Sequence, residues 1–155
     1  MNTLSILLIE DNPGDYRLIR EYLNDISNFF INFKWFQYLN KALRYIKKHK
    51  IDVILLDLSL PEYSGINTVI ETKKYASNIP IIVLTGTDDE KLAIQSVKYG
   101  VQDYLNKGNI DSSKLKRSIQ YAIQRNRLER TIRESERKFR EAYTRAEFYK
   151  DIFAH

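Results

Sequence analysis

Short apolar runs alternate with amphipathic stretches along the first 111 residues. Residues 4–9, 51–57, 79–85 and 101–105 are rich in Ile, Val and Leu, the composition expected of strands covered on both faces. Residues 31–37 (INFKWFQ) instead alternate apolar and polar positions, which suits a strand at a sheet edge. Between these runs, residues 13–26, 39–48, 65–75 and 89–98 have the spacing of amphipathic helices. Asn12-Pro13 offers a cap followed by proline at the first helical position, and Thr87 to Glu90 has capping-box spacing. This alternation implies βαβ units with right-handed crossovers. The expected class is therefore α/β: a small doubly wound domain with a five-stranded parallel sheet and helices on both faces.

From Asp111 the pattern changes. No Gly or Pro follows Asn109, and Asp111 or Ser112 can cap a helix continuing to His155, roughly 66 Å long if unbroken. Leu115, Ile119, Ala122 and Ile123 can pack on the sheet as its fifth helix. Beyond them Leu128, Ile132, Ser135, Phe139, Ala142, Ala146, Tyr149 and Phe153 recur at alternating spacings of four and three, a coiled-coil seam. A lone helix this polar has little to hold it in water, so a second copy of the helix is expected as partner. The expected division is a globular domain over 1–125 and a helical coiled-coil linker over 126–155.

The net charge of +5 is unevenly placed: 13 Lys/Arg stand against 14 Asp/Glu in residues 1–111, and 12 against 6 in residues 112–155. The tail's signs are interleaved, as in RLERTIRESERKFRE, which marks a solvated helix with i,i+4 pairs rather than a nucleic-acid face. Nucleic acid is therefore not an expected partner. Cysteine is absent, which excludes disulfides and thiolate metal sites. No apolar run approaches a membrane span, and the start, MNTLSILLIEDN, lacks signal-peptide features. The chain reads as cytoplasmic, with no membrane partner.

Candidate chemistry lies where the apolar runs stop. They end at Glu10-Asp11, at Asp57, at Thr85 and just before Lys107. In an open parallel α/β sheet, ligands sit at the carboxyl ends of strands, so these ends describe one site. Glu10, Asp11 and Asp57 brought together would repel one another as anions. Mg²⁺ would relieve that repulsion, since it favours a few carboxylates together with water and phosphate oxygens. Asp57 can then attack phosphorus and form an acyl phosphate. Thr85 can donate a hydrogen bond to a phosphoryl oxygen, and Lys107 can offset its charge. Taken singly, the Glu-Asp pair could simply begin a helix, and Tyr104 could be ordinary core. His49, in KKHK, reads as a solvated helix-end residue.

Four segments, ILLIEDNPGDYRLI at 6–19, DVILLDLSLPEYSG at 52–65, IIVLTGTDDE at 81–90 and YGVQDYLNKG at 99–108, closely resemble the receiver domain of two-component response regulators. The resemblance covers residues 1 to about 125. It implies a flavodoxin-like sheet of order 2-1-3-4-5, with Asp57 as phosphoacceptor and Glu10, Asp11, Asp57 and the backbone carbonyl of Ser59 as Mg²⁺ ligands. Thr85 matches the switch hydroxyl, Lys107 its partner lysine, and Tyr104 the aromatic that turns inward with the hydroxyl. The implied partner is a histidine kinase or phosphotransfer protein. Output would be read on the face of the fourth helix and fifth strand. Such a domain catalyses only its own phosphorylation and dephosphorylation.

Two positions depart from the family pattern. Gly108 follows Lys107 where relatives usually carry proline, often with a cis peptide, and a cis bond is not expected here. Gly86 follows Thr85 where many relatives carry alanine, which leaves room for a partner's catalytic group. The ending EFYKDIFAH resembles the approach to the phosphoacceptor histidine of some histidine kinases, making His155 a candidate phosphohistidine, although the acidic residue and Asn-rich turn that follow in those kinases are missing. The preceding ESERKFREAY resembles a linker into a PAS sensor domain. Both imply a fragment of a larger sensor kinase whose receiver signals through the extended helix. The alternatives are a stand-alone interaction module of the same fold, a Mg²⁺-dependent phosphatase, disfavoured by Ser59 where such enzymes carry a second acid, and a DNA-binding regulator.

Overall fold

The structure, a computed structural model, describes residues 3–86 and 88–154. Ten elements follow one another as β1 (Thr3–Ile9), α1 (Pro13–Asn24), β2 (Phe30–Phe36), α2 (Leu39–Lys48), β3 (Val53–Asp57), α3 (Ile66–Tyr75), β4 (Ile81–Thr85), α4 (Glu90–Lys98), β5 (Asp103–Asn106) and α5 (Ser112–Phe153). All strand pairs are parallel and the order is β2-β1-β3-β4-β5. The expected flavodoxin-like sheet is present, with β2 at the edge.

Side-chain alternation along the strands builds two cores. Leu7, Ile9, Ile54, Leu56, Ile81 and Val83 face α2 and α3 through Leu39, Ala42, Leu43, Ile46 and Val69. Ile6, Leu8, Val53, Leu55, Ile82 and Leu84 face the other way, onto Ile19, Leu23, Leu115, Ile119 and Ala122 of α1 and α5. The central strands therefore have no polar face, which is why they appear in the sequence as unbroken apolar runs. Edge strand β2 alternates exposed and half-buried positions.

Three strands begin two residues later than the apolar runs suggest, because pairing rather than hydropathy sets their limits. Ile51-Asp52 precedes β3, and the Asp52 carboxylate accepts the Ser5 N–H at 2.8 Å. Pro80, which has no N–H, precedes β4 and contributes its carbonyl to Ile54. Likewise Val101-Gln102 precedes β5. Helix α1 starts as expected: the Asn12 side chain accepts from the N–H groups of Gly14 and Asp15, with Pro13 at the first position. The proposed cap at Thr87 lies outside the described residues.

Helix α5 is continuous over 42 residues and is capped by Asp111, whose carboxylate accepts the Lys114 N–H at 2.7 Å. Its first turns pack into the core as the periodicity predicts. The last buried residue is Asn126, whose amide donates to the Asn78 carbonyl at 3.0 Å. Gln102 donates to Glu129 at 2.9 Å and Arg125 to the Gln102 carbonyl at 3.3 Å. Past these tethers the helix stands clear of the domain, and Leu128, Ile132, Phe139, Tyr149 and Phe153 of the seam are all more than half exposed. Arg137 pairs with Glu134 and Glu141 along the helix, the interleaved pattern read from the sequence. Among the described residues no helix is long and apolar enough to cross a membrane.

Candidate functional site

Parallel register brings the four run ends to one edge of the sheet. Ile9 pairs with Leu56, Asp57 with Leu84, and Thr85 with Asn106, so Glu10, Asp57, Thr85 and Lys107 fall at neighbouring strand ends. Backbone bonds finish the alignment: the Glu10 N–H donates to the Phe36 carbonyl at 3.0 Å, and the Lys107 N–H to the Thr85 carbonyl at 2.8 Å. Carboxylate oxygens of Glu10, Asp11 and Asp57 all lie within 4.8 Å of one another. Glu10 and Asp57 are buried and Asp11 half-buried. This is a hard, all-oxygen donor set clustered closely enough for a small divalent cation, so the residues fit the Mg²⁺ that the receiver resemblance implies.

Lys107 reaches into this cluster. Its ammonium lies 3.7 Å from Asp57 Oδ2, 3.4 Å from Glu10 Oε2 and 2.8 Å from Asp15 Oδ2. Burial alone would lower the lysine's pKa, but the hydrogen bond to Asp15 and the charges of Asp57, Glu10 and Asp15 outweigh it and raise the value. Glu10 is displaced strongly: burial first, then repulsion from Asp57, push its carboxyl up to about 8, while Lys107 acts in the opposite direction.

That displacement has a measurable sign. Between its ordinary value of 4.5 and about 8, Glu10 binds a proton in the folded chain that it has lost in the unfolded chain. Its contribution to stability is full below the lower value and disappears as pH rises through the upper one. In the presence of a chelator, Tm should therefore fall from pH 5 to pH 8, and Glu10→Gln should flatten the slope. An equal slope in the variant contradicts this account of Glu10.

The remaining predicted residues take distinct places. The Thr85 hydroxyl donates to the Leu105 carbonyl on β5 at 3.4 Å, so it rests on the neighbouring strand. Tyr104 is half-buried against the core beneath α2 and α3. The Ser59 N–H donates to Asp57 Oδ1 at 3.2 Å. A bridge between Ser59 and Ser64 and a bond from the Gly65 N–H to the Leu58 carbonyl close the loop that carries Ser59. Gly65, at φ 65° and ψ −147°, turns that loop into α3, a conformation suited to glycine. All described peptide bonds are trans, and Gly108 has no positive φ. A Cβ at Gly86 would meet Asp89 at an ordinary 3.9 Å, so alanine would fit there. His49 is exposed and stacks on Tyr45. His155 lies outside the described residues.

Two residues escaped the sequence reasoning. Asp15 stands in the first turn of α1 and makes the shortest of the Lys107 contacts. An acid in the first turn of a helix starting at the site was its available signal. Trp35, at the end of β2, donates its indole N–H to the Glu10 carbonyl at 2.7 Å and stacks on Tyr16 at 3.9 Å. The need of a half-buried indole for an acceptor hints at such a contact without naming the acceptor.

The arrangement gathers an acidic cluster, a hydroxyl and a cation at one edge of the sheet, in a chain that is similar to known proteins. The transcriptional regulatory protein MalR of Bacillus subtilis is 29% identical over 106 residues, covering 67% of this chain and 44% of MalR. Hybrid signal transduction histidine kinase D of Dictyostelium discoideum is 35% identical over 104 residues, 66% of this chain and 6% of that protein. The chain spans less than half the length of the first curated relatives it matches. A response regulator receiver domain protein from Clostridium thermocellum superposes with a TM-score of 0.70 at 28% identity, over 81% of this chain and 98% of that one. The family description "Response regulator receiver domain" matches residues 6–120. With its sheet order, its acidic cluster and this match over most of its length, the chain belongs to the receiver domains of two-component response regulators.

Proposed function

We propose that this receiver is a phosphoacceptor, taking a phosphoryl group onto Asp57 from a phosphohistidine of a kinase or phosphotransfer protein. The supporting observation is the convergence of Glu10, Asp11 and Asp57 within 4.8 Å, with the Lys107 ammonium 3.7 Å from Asp57. An Asp57 oxygen donates an electron pair to phosphorus. The phosphorus–nitrogen bond breaks, and its pair returns to an imidazole already protonated on its other nitrogen, which leaves neutral. Glu10, Asp11, Asp57 and the Ser59 carbonyl would hold Mg²⁺, which supplies charge neutralisation for the phosphoryl oxygens. Lys107 offsets charge on the transferring group. Thr85 leaves the Leu105 carbonyl to donate to a phosphoryl oxygen, and Tyr104 follows the space it vacates.

With Mg²⁺ and acetyl phosphate, the intact chain should gain one phosphoryl mass. Retention of the original mass under those conditions counts against the assignment. Cation binding has its own reporter: Trp35, the single tryptophan, holds the Glu10 carbonyl, so its emission should change on Mg²⁺ addition.

The output is assigned to α5. On this view residues 1–125 form the receiver and 126–155 a coiled-coil linker that pairs with a second copy, within a larger cytoplasmic sensor kinase. Exposure of every seam residue from Leu128 to Phe153 supports it, because an isolated helix gains little from such a stripe until a partner covers it. Sedimentation at high micromolar concentration should give a dimer, and Ile132→Glu with Phe139→Glu a monomer. A monomeric wild type overturns the pairing.

A further inference from the structure

The residue nearest the lysine is not the proposed acceptor. The Lys107 ammonium is 2.8 Å from Asp15 Oδ2 but 3.7 Å from Asp57 Oδ2. Asp15 is held in place from below: it occupies the third position of α1, and its N–H donates to the Asn12 side chain at 3.2 Å. The lysine side chain is 18% exposed and that of Asp15 33%, so water screens their attraction only in part. Engagement of a phosphoryl group on Asp57 by this ammonium would therefore compete with its contact to Asp15.

We propose that Asp15 is a positioning residue for phosphoryl transfer: its carboxylate holds Lys107 off Asp57 and thereby slows the lysine's engagement of the incoming group. The proposal rests on Asp57 being the acceptor. With acetyl phosphate, a bond forms from an Asp57 oxygen to phosphorus as the bond from phosphorus to the acetate oxygen breaks. The electron pair leaves with acetate, and no proton is required. Negative charge on the phosphoryl oxygens and the departing acetate is what Lys107 would offset, and each moment it spends on Asp15 removes it from that task. An acid at this helix position also has an ordinary structural use, since it favours the helix N-terminus. That use would alter Tm without altering the rate of transfer.

The test compares the full chain with Asp15→Asn, Asp15→Glu, Lys107→Met and the Asp15→Asn/Lys107→Met double variant, following phosphoryl gain by intact mass with Mg²⁺ and acetyl phosphate. Asp15→Asn should accelerate uptake roughly 1.5- to fivefold, the rate equivalent of a partly exposed ion pair, and Asp15→Glu should return it towards wild type. In the Lys107→Met background the Asp15→Asn change should have no effect. Unchanged uptake in Asp15→Asn overturns the proposal. So does equal acceleration without Lys107, which would make Asp15 a simple repeller of the anionic donor. A second readout stands apart from phosphorylation: in ¹⁵N-lysine spectra of the metal-free chain, the Lys107 ammonium signal should shift in Asp15→Asn. An unmoved signal overturns the proposal even if Asp57 proves to be no acceptor, whereas a shifted signal beside an unphosphorylated wild type removes the acceptor assignment and leaves the contact standing.

Discussion

Asp57→Asn is expected to reduce phosphoryl uptake by at least about a thousandfold, because an amide oxygen is a far weaker nucleophile than a carboxylate. The substitution is nearly isosteric at a position that is only 4% exposed, so packing around Leu56 and Leu84 should survive. The Ser59 N–H can still donate to the remaining oxygen, as it does to Asp57 Oδ1. One negative charge is also removed from the cluster, which should weaken divalent-cation binding. Intact mass after incubation with Mg²⁺ and acetyl phosphate reads the result directly. Equal mass gain in the variant would place the acceptor elsewhere, with Asp11 and Glu10 as the next carboxylates to examine.

The second large effect concerns stability and separates the domain from its helix. Leu56→Ala should cost about 2–5 kcal/mol, the range for emptying a leucine-sized volume in a packed core. Leu56 is fully buried on the central strand β3 and belongs to the core under α2 and α3. Phe139→Ala removes a larger side chain, but Phe139 is 72% exposed. It should change the stability of a dilute monomer by less than about 0.5 kcal/mol. Urea unfolding of both variants at low protein concentration checks the contrast. A comparable loss at Phe139 under those conditions would mean that the free half of α5 is folded onto the domain.

Much of this fold was legible because its signals are local. A strand with both faces covered has to be apolar throughout, as Val53 to Leu56 are, and β2 betrays its edge position through INFKWFQ. Asn12-Pro13 marks the start of α1 because a cap and a fixed φ act within one turn. Strand limits were less legible: Ile51 and Ile79 are as apolar as their neighbours, yet pairing begins at Val53 and Ile81. Burial of Asn126 was not legible either, since its partner is the Asn78 carbonyl, 48 residues away. Trp35 lies within the edge-strand pattern, but its bond to Glu10 depends on β2 lying beside β1.

For the candidate site, the sequence by itself determined which groups stand at the strand ends, because a run's last residue is a property of the chain. It also determined that three carboxylates gathered at one edge would repel one another and call for a divalent cation, with a lysine at the last run end to meet phosphoryl charge. Tertiary structure alone decided which carboxylates that lysine touches. Lys107 reaches Asp15, Glu10 and Asp57 at 2.8, 3.4 and 3.7 Å. Those differences come from how α1 packs on the sheet beside the end of β5, across a sequence separation of 92 in the case of Asp15. Periodicity and capping act over a few residues, whereas an ion pair's preference is set by distances of tenths of an ångström between segments that meet only in the folded protein.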